Sequence, residues 1–197
     1  MAEEATYLGI DPGTNLLGYG LISVHERKVE LKAMGVIDLR KCTDVHMKLG
    51  RIFERVSGLI QSFSPGAMAI ESPFYGKNVQ SMLKLGRAQG VAIAAAATRG
   101  IKVYEYAPTK IKMALTGNGA ASKEQVSNML QKIFRLDAKS LVPYMDATDA
   151  LAAAYCHYLQ GCQPMHVRAY SNWSDFLKKN ADRIHSTAAP KNDSTEQ

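Results

Sequence analysis

Four carboxylates stand where a carboxylate needs a partner. Asp11 closes the apolar run Leu8-Gly9-Ile10, and Glu71 closes Met68-Ala69-Ile70. Asp146 and Asp149 are three residues apart, on one face of a helical pattern that continues Ala-Leu-Ala-Ala-Ala. A carboxylate at the end of a buried strand loses hydration, at a cost unless a cation or donor compensates. Plainer readings exist for three of the four. Asp11 suits a turn before Pro12-Gly13, Asp146 suits a helix N-cap, and Asp149 gains from the helix dipole. Glu71 is the hardest to read so plainly, because Glu is a poor turn former and follows four apolar residues. If the four converge, they repel one another and raise at least one pKa unless divalent cations intervene. An all-oxygen set suits Mg²⁺ or Mn²⁺ rather than zinc. Two such ions ~4 Å apart can activate a water and stabilise the leaving oxygen of a phosphodiester.

The charge distribution points to the same chemistry. The 197-residue chain carries 24 Lys and Arg against 18 Asp and Glu, a net charge of +6. From Ser72 to Lys123 there are eight basic residues (Lys77, Lys84, Arg87, Arg99, Lys102, Lys110, Lys112, Lys123) and one acid, Glu105. That window is +7 and the remainder −1. A block so one-sided is either a solvated face or the footprint of a phosphate-backbone binder. Beginning directly after Glu71, it would hold phosphates beside the acids.

The elements that must position these groups follow from local patterns. Tyr7–Ile10, Gly18–Val24 and Val29–Leu39 read as three strands, the last two joined as a hairpin through His25-Glu26-Arg27. Val45–Phe63 changes to helical spacing, with Met47, Leu49, Ile52, Phe53, Val56, Leu59 and Ile60 on one stripe, and Ser64-Pro65-Gly66 stops it. Ala67–Ile70 is a short strand, Asn78–Thr98 a long helix rich in small residues, and Lys102–Tyr106 a fifth strand. Pro108–Leu115 is a short helix, with Pro108 suited to its first turn. Ser122-Lys-Glu-Gln125 forms a capping box for a helix ending near Phe134, and Asp146–Leu159 is a last core helix. This order predicts an α/β fold, a five-stranded mixed sheet flanked by helices on both faces. Residues 1–161 form the expected nuclease domain. Residues 162–197 form an appended segment, with a helix near Trp173–Ile184 and a disordered end.

Several classes drop out. Hydrophobic residues at 46% and charged residues at 21% are ordinary globular usage, not that of a disordered chain or a collagen. Cys42, Cys156 and Cys162 are irregularly spaced, which suits reduced thiols. The acidic start Met-Ala-Glu-Glu is unlike a secretory leader, so the expected location is cytoplasmic. Gly117-Asn-Gly-Ala-Ala-Ser-Lys123 fails as a phosphate loop, with Ser122 where Gly is needed and Glu124 where Ser or Thr is needed. Cys156 and His157 are neighbours on a helix and point different ways, which argues against a zinc site with Cys162 and His166.

The ordered set Leu8-Gly-Ile-Asp-Pro-Gly-Thr14, Gly18-Tyr-Gly20, Ala69-Ile-Glu-Ser-Pro-Phe74, Lys77-Asn78 and Leu83–Ala92 resembles the RuvC crossover-junction endodeoxyribonuclease family. So do Glu105-Tyr-Ala-Pro108, the Gly-x-Gly before Lys123, and Asp146-Ala-Thr-Asp149-Ala-Leu-Ala. The resemblance runs from about Tyr7 to Gln160. It implies a ribonuclease-H-like fold, a homodimer, and Mg²⁺-dependent paired nicking of four-way (Holliday) junctions, with Mn²⁺ as a substitute and two ions per active site. The implied products are 5′-phosphate and 3′-hydroxyl ends. The four family carboxylates fall on Asp11, Glu71, Asp146 and Asp149. Phe74 matches an aromatic that stacks on an unpaired base near the crossover. Lys112 and Lys123 match basic positions near the scissile phosphate, and Lys77 joins them as a DNA-binding residue. The implied partners are junction DNA and the RuvA–RuvB branch-migration complex. The small-residue helix, with Gly86, Gly90, Ala94, Ala95 and Ala96, packs either on the sheet or on a symmetry mate. Other readings are an actin-like ATPase or sugar kinase, which needs a second domain of similar size, a related nuclease acting on RNA, and a non-catalytic nucleic-acid-binding module.

Overall fold

The computed structural model describes residues 4–26, 28–72, 78–136, 145–162 and 177. The chain divides into two compact units, Met1–Cys162 and Gln163–Gln197. Of the second, Leu177 is described, helical and partly exposed; the rest of the helix expected near Trp173–Ile184 lies outside the described residues.

The first unit is built on strands β1 (Ala5–Asp11), β2 (Leu16–His25), β3 (Lys28–Asp38), β4 (Ala67–Glu71) and β5 (Lys102–Tyr106). Their order in the sheet is β3-β2-β1-β4-β5. The β1–β2 and β2–β3 pairs are antiparallel, whereas β4 runs parallel to β1 and β5 parallel to β4. Among the described residues five helices cover it: α1 (Val45–Phe63), α2 (Val79–Ala97), α3 (Pro108–Thr116), α4 (Lys123–Phe134) and α5 (Met145–Cys162).

Local chemistry sets the helix ends. Asp44 caps α1 by accepting from the Met47 amide at 2.9 Å, and Ser64 ends it in the left-handed region. Asn78 caps α2 by accepting from Ser81 N. Ser122 and Gln125 form the expected reciprocal box at the start of α4. The helix α5 begins at Met145, so Asp146 lies inside its first turn, where an acid favours the dipole, rather than at a cap.

Alternation along the central strands divides the unit into two cores. Leu8, Ile10, Met68 and Ile70 face α1 and α2, packing with Ile52, Val56, Ile60, Ala88 and Ala92. Ala69 faces the other way, toward Ile111, Leu115, Val126, Leu130 and Leu151 of α3, α4 and α5. Two members of the stripe expected on α1 fall off its buried face: Met47 is 56% and Phe53 38% exposed. Phe53 instead lies under the Arg99 guanidinium, 5.8 Å from the ring centre. The small residues of α2 are also divided. Ala95 and Ala96 are buried on the sheet, whereas Gly86, Gly90 and Ala94 face outward.

One packing feature positions the site. A Cβ on Gly9 would overlap the Ala150 carbonyl oxygen, and one on Gly18 would overlap that of Asp146. Gly20 lies under Leu151 in the same way. These glycines of β1 and β2 let the α5 backbone rest directly on the sheet, which side chains there would prevent.

Candidate active site

Asp11 and Glu71 are the last residues of adjacent parallel strands. The register pairs Ile10 with Ile70, so the next step along both strands sets the two acids side by side. Alternation from Gly9 and Ala69 sends both carboxylates to the α5 face. There α5 presents Asp146 and Asp149 from its first two turns, brought down by the glycine-lined contact.

The electrostatics record this convergence. Burial, then Glu71, Asp149 and Asp146, push the Asp11 carboxyl up to about 8. Burial and Asp149 push Glu71 up to about 7, against the pull of Lys123 and Lys112. Lys123 Nζ donates to Asp149 Oδ2 at 2.6 Å, and that bond holds the ammonium pKa above its usual value. Glu71, Lys112, Lys123 and Asp149 line a cleft of about 120 Å³ together with Ile111, Val126 and Ala152.

The site therefore concentrates carboxylate oxygens in a partly buried place with too little positive charge. Such a donor set fits a hard divalent cation. Among the described residues, no three His, Cys, Asp or Glu side chains are already gathered to ligand geometry. The Lys123 ammonium is the cation that this arrangement holds.

The expected residues Asp11, Glu71, Asp146, Asp149, Lys112 and Lys123 are brought together. Phe74 and Lys77 lie outside the described residues. Sequence reasoning missed two supports. The glycines Gly9, Gly18 and Gly20 carried a signal, since glycine inside a strand marks close backbone approach. The other support had none. Tyr106 pairs with Glu71 across β4–β5, and its hydroxyl lies 2.7 Å from His157 Nδ1 on α5. One hydrogen bond thus ties the strand beside Glu71 to the helix carrying Asp149. His157 is further enclosed by the rings of Tyr7 and Tyr104, 5.0 and 4.3 Å away.

A mixed sheet in this order, covered on both faces, defines the ribonuclease-H-like class of fold. Known proteins narrow it. The family model described as "Crossover junction endodeoxyribonuclease RuvC" matches residues 7–157, and the chain belongs to that family. The protein of that name from Bacteroides fragilis is 56% identical over 182 residues, covering 92% of this chain and 97% of that protein. The one from Porphyromonas gingivalis is 54% identical over 185 residues, covering 92% and 98%. The solved structure titled "T. thermophilus RuvC in complex with Holliday junction substrate" superposes with a TM-score of 0.73 at 32% identity, covering 80% of this chain and 94% of that one. A yeast mitochondrial Holliday junction resolvase, at 14% identity and a TM-score of 0.57, shares the fold. Among the described residues no helix is long and apolar enough to cross a membrane.

Proposed function

We propose that this protein is a structure-selective endonuclease that resolves four-way Holliday junctions in recombination and repair. It nicks two strands in a paired, metal-dependent reaction, leaving 5′-phosphate and 3′-hydroxyl ends. The observation that carries this reading is the meeting of Asp11 and Glu71 with the α5 acids beside Lys123, in a chain of the RuvC family.

In this mechanism Asp11, Glu71, Asp146 and Asp149 hold two Mg²⁺ ions, for which Mn²⁺ substitutes. When bound, these ions supply a water nucleophile acidified to working pH and charge stabilisation for the leaving oxygen. The burial of Asp11 and Glu71 fixes their carboxylates and keeps bulk water from competing for them. Lys112 and Lys123 steady the scissile phosphate from the cleft wall. Release of the Lys123–Asp149 bond would free the carboxylate as a metal ligand and the ammonium for the phosphate. Phe74 stacks on a base at the crossover, an interaction worth ~1–3 kcal/mol, and Lys77 holds an adjoining phosphate.

Residues 1–161 act as the nuclease domain, with 162–197 as an appendage. The outward face of α2, where Gly86, Gly90 and Ala94 permit close approach, pairs two copies, matching the two-fold character of the substrate. The branch-migration complex RuvA–RuvB delivers the junction, in the cytoplasm. The test compares an end-labelled mobile four-way junction with matched linear duplex, with and without Mg²⁺. Paired, metal-dependent nicks in the junction alone are expected. Equal attack on duplex overturns the junction reading, and binding without cuts overturns the enzyme reading.

A further inference from the structure

A cavity in the described part of the molecule lies away from the carboxylates. It has a volume of about 330 Å³ and opens between the β1–β2 turn (Gly13, Thr14, Asn15), the start of α1 and the middle of α2. Its floor is Leu39, Leu49, Ile52 and Ala88, and its polar groups include Lys48, Lys84 and Asp44. It therefore sits on the α1–α2 face of the sheet, whereas Lys112 and Lys123 sit on the α3–α5 face. Both lie at the same end, because the cavity is lined by the turn that directly follows Asp11.

Its charged groups are unevenly committed. Lys48 Nζ donates to the Thr14 carbonyl at 3.0 Å and to Asn15 Oδ1 at 3.1 Å, 34 and 33 residues away in sequence. This fixes the ammonium on the turn, and one of its three donors remains. Lys84 forms no ion pair or hydrogen bond among the described residues, although it lines the cavity. Asp44 is occupied at Oδ1 in capping α1. The lining thus has two cations and one acid, a net charge of +1.

We infer that this cavity is a second backbone-phosphate site, in which Lys48 and Lys84 hold a phosphodiester group of the DNA being cut. The inference rests on the nuclease reading above and extends it to the opposite face of the sheet. A strand carries one charge per ~3.4 Å of helix axis. One that passes over the end of β1 from Lys112 and Lys123 brings further phosphates to the Lys48–Lys84 side. Because Lys48 also pins the turn behind Asp11, a phosphate here would brace the backbone that holds a catalytic carboxylate.

The test is the salt dependence of junction binding in Ca²⁺ or EDTA, read for the wild type, Lys84→Gln, Lys48→Gln and Lys28→Gln. Lys28 lies at the far end of the sheet, paired with Glu30, and controls for the loss of one charge. Each phosphate contact contributes ~0.9 to the slope of log K against log salt. The slopes of Lys84→Gln and Lys48→Gln are expected to fall by about that amount, and that of Lys28→Gln to match the wild type. Slopes for all three variants equal to the wild type overturn the proposal. A parallel thermal-shift titration uses inorganic phosphate as the probe. Stabilisation lost in Lys84→Gln, with unchanged junction slopes, would make this a site for free anions and also overturn it. A wild type that binds junction no better than duplex instead refutes the junction reading on which the proposal rests.

Discussion

Lys123 Nζ lies 2.6 Å from Asp149 Oδ2, so the ammonium occupies the carboxylate that the neighbouring acids need to share with a divalent ion. The pair joins α4 to α5 across the mouth of the cleft, with Asp149 the less exposed partner. An ion pair this open is screened and adds ~0–1 kcal/mol to stability. Its consequence is for ion binding. Lys123→Met is expected to bind Mn²⁺ more tightly than the wild type in the absence of DNA, measured by calorimetry. The same variant should cut junctions ~10²-fold more slowly at saturating metal, the scale of losing one charge-stabilising donor. Weaker Mn²⁺ binding would mean that the ammonium supports the metal site rather than competing for it.

Asp11→Asn separates binding from chemistry. It removes a half-buried negative charge of the cluster while keeping its shape. Cleavage should fall by at least ~10²-fold, with junction affinity in EDTA retained. The same change should raise the melting temperature of the metal-free protein at pH 8, since it relieves repulsion from Glu71, Asp149 and Asp146. For a chain of this size each kcal/mol is ~2–4 °C. Near-wild-type cleavage would remove Asp11 from the reaction.

Acidity should stabilise the metal-free protein over a defined range. Asp11 and Glu71 are raised from 3.8 and 4.5 to about 8 and about 7, so the folded state binds protons that the unfolded chain has released. Their contribution is fully present below the unfolded values and is lost as pH rises through the folded ones. Melting temperature in EDTA should therefore decline between about pH 4 and 8 from these groups. Saturating Mg²⁺ should flatten that decline, because the ion requires the ionised carboxylates. Parallel melts that overlay with and without Mg²⁺ would contradict this.

Gly9→Ala and Gly18→Ala test the contact that lowers α5 onto the sheet. Each adds a Cβ into a backbone carbonyl that cannot rotate away. A cost of ~1–3 kcal/mol or more is expected, with cleavage falling further than the unfolded fraction explains, as Asp146 and Asp149 are lifted from Asp11. Gly58→Ala is the control. It lies exposed within α1 with no atom near the added Cβ, and should stabilise by ~0.5–1 kcal/mol. Denaturant melts read both.

Much of the architecture was legible because its signals are local. The helix α1 runs from Val45 to Phe63 as its spacing predicts, since an Asp cap and a Ser-Pro-Gly stop bracket it. The strands lie where apolar runs meet turn residues, with ends shifted by a residue or two. The helix α5 is described from Met145 to Cys162, one residue before and three beyond the expected Asp146–Leu159. Gly161 there meets no neighbour and is carried as ordinary helix. Met47 and Phe53 lie off the buried face of α1 because a spacing of three or four residues admits more positions than one core can cover.

The sequence by itself determined the types of the site groups and their local settings: acids at strand ends and an i, i+3 pair on a helix. Proximity was decided by tertiary structure. The parallel β1–β4 register sets Asp11 beside Glu71, though 60 residues separate them in the chain. Packing of α5 on three glycines brings up the other two acids. The Lys123–Asp149 bond, the Tyr106–His157 tie and the Lys48 anchor on Thr14 and Asn15 are likewise long-range. Such contacts depend on how whole elements pack, and no stretch of local sequence encodes that.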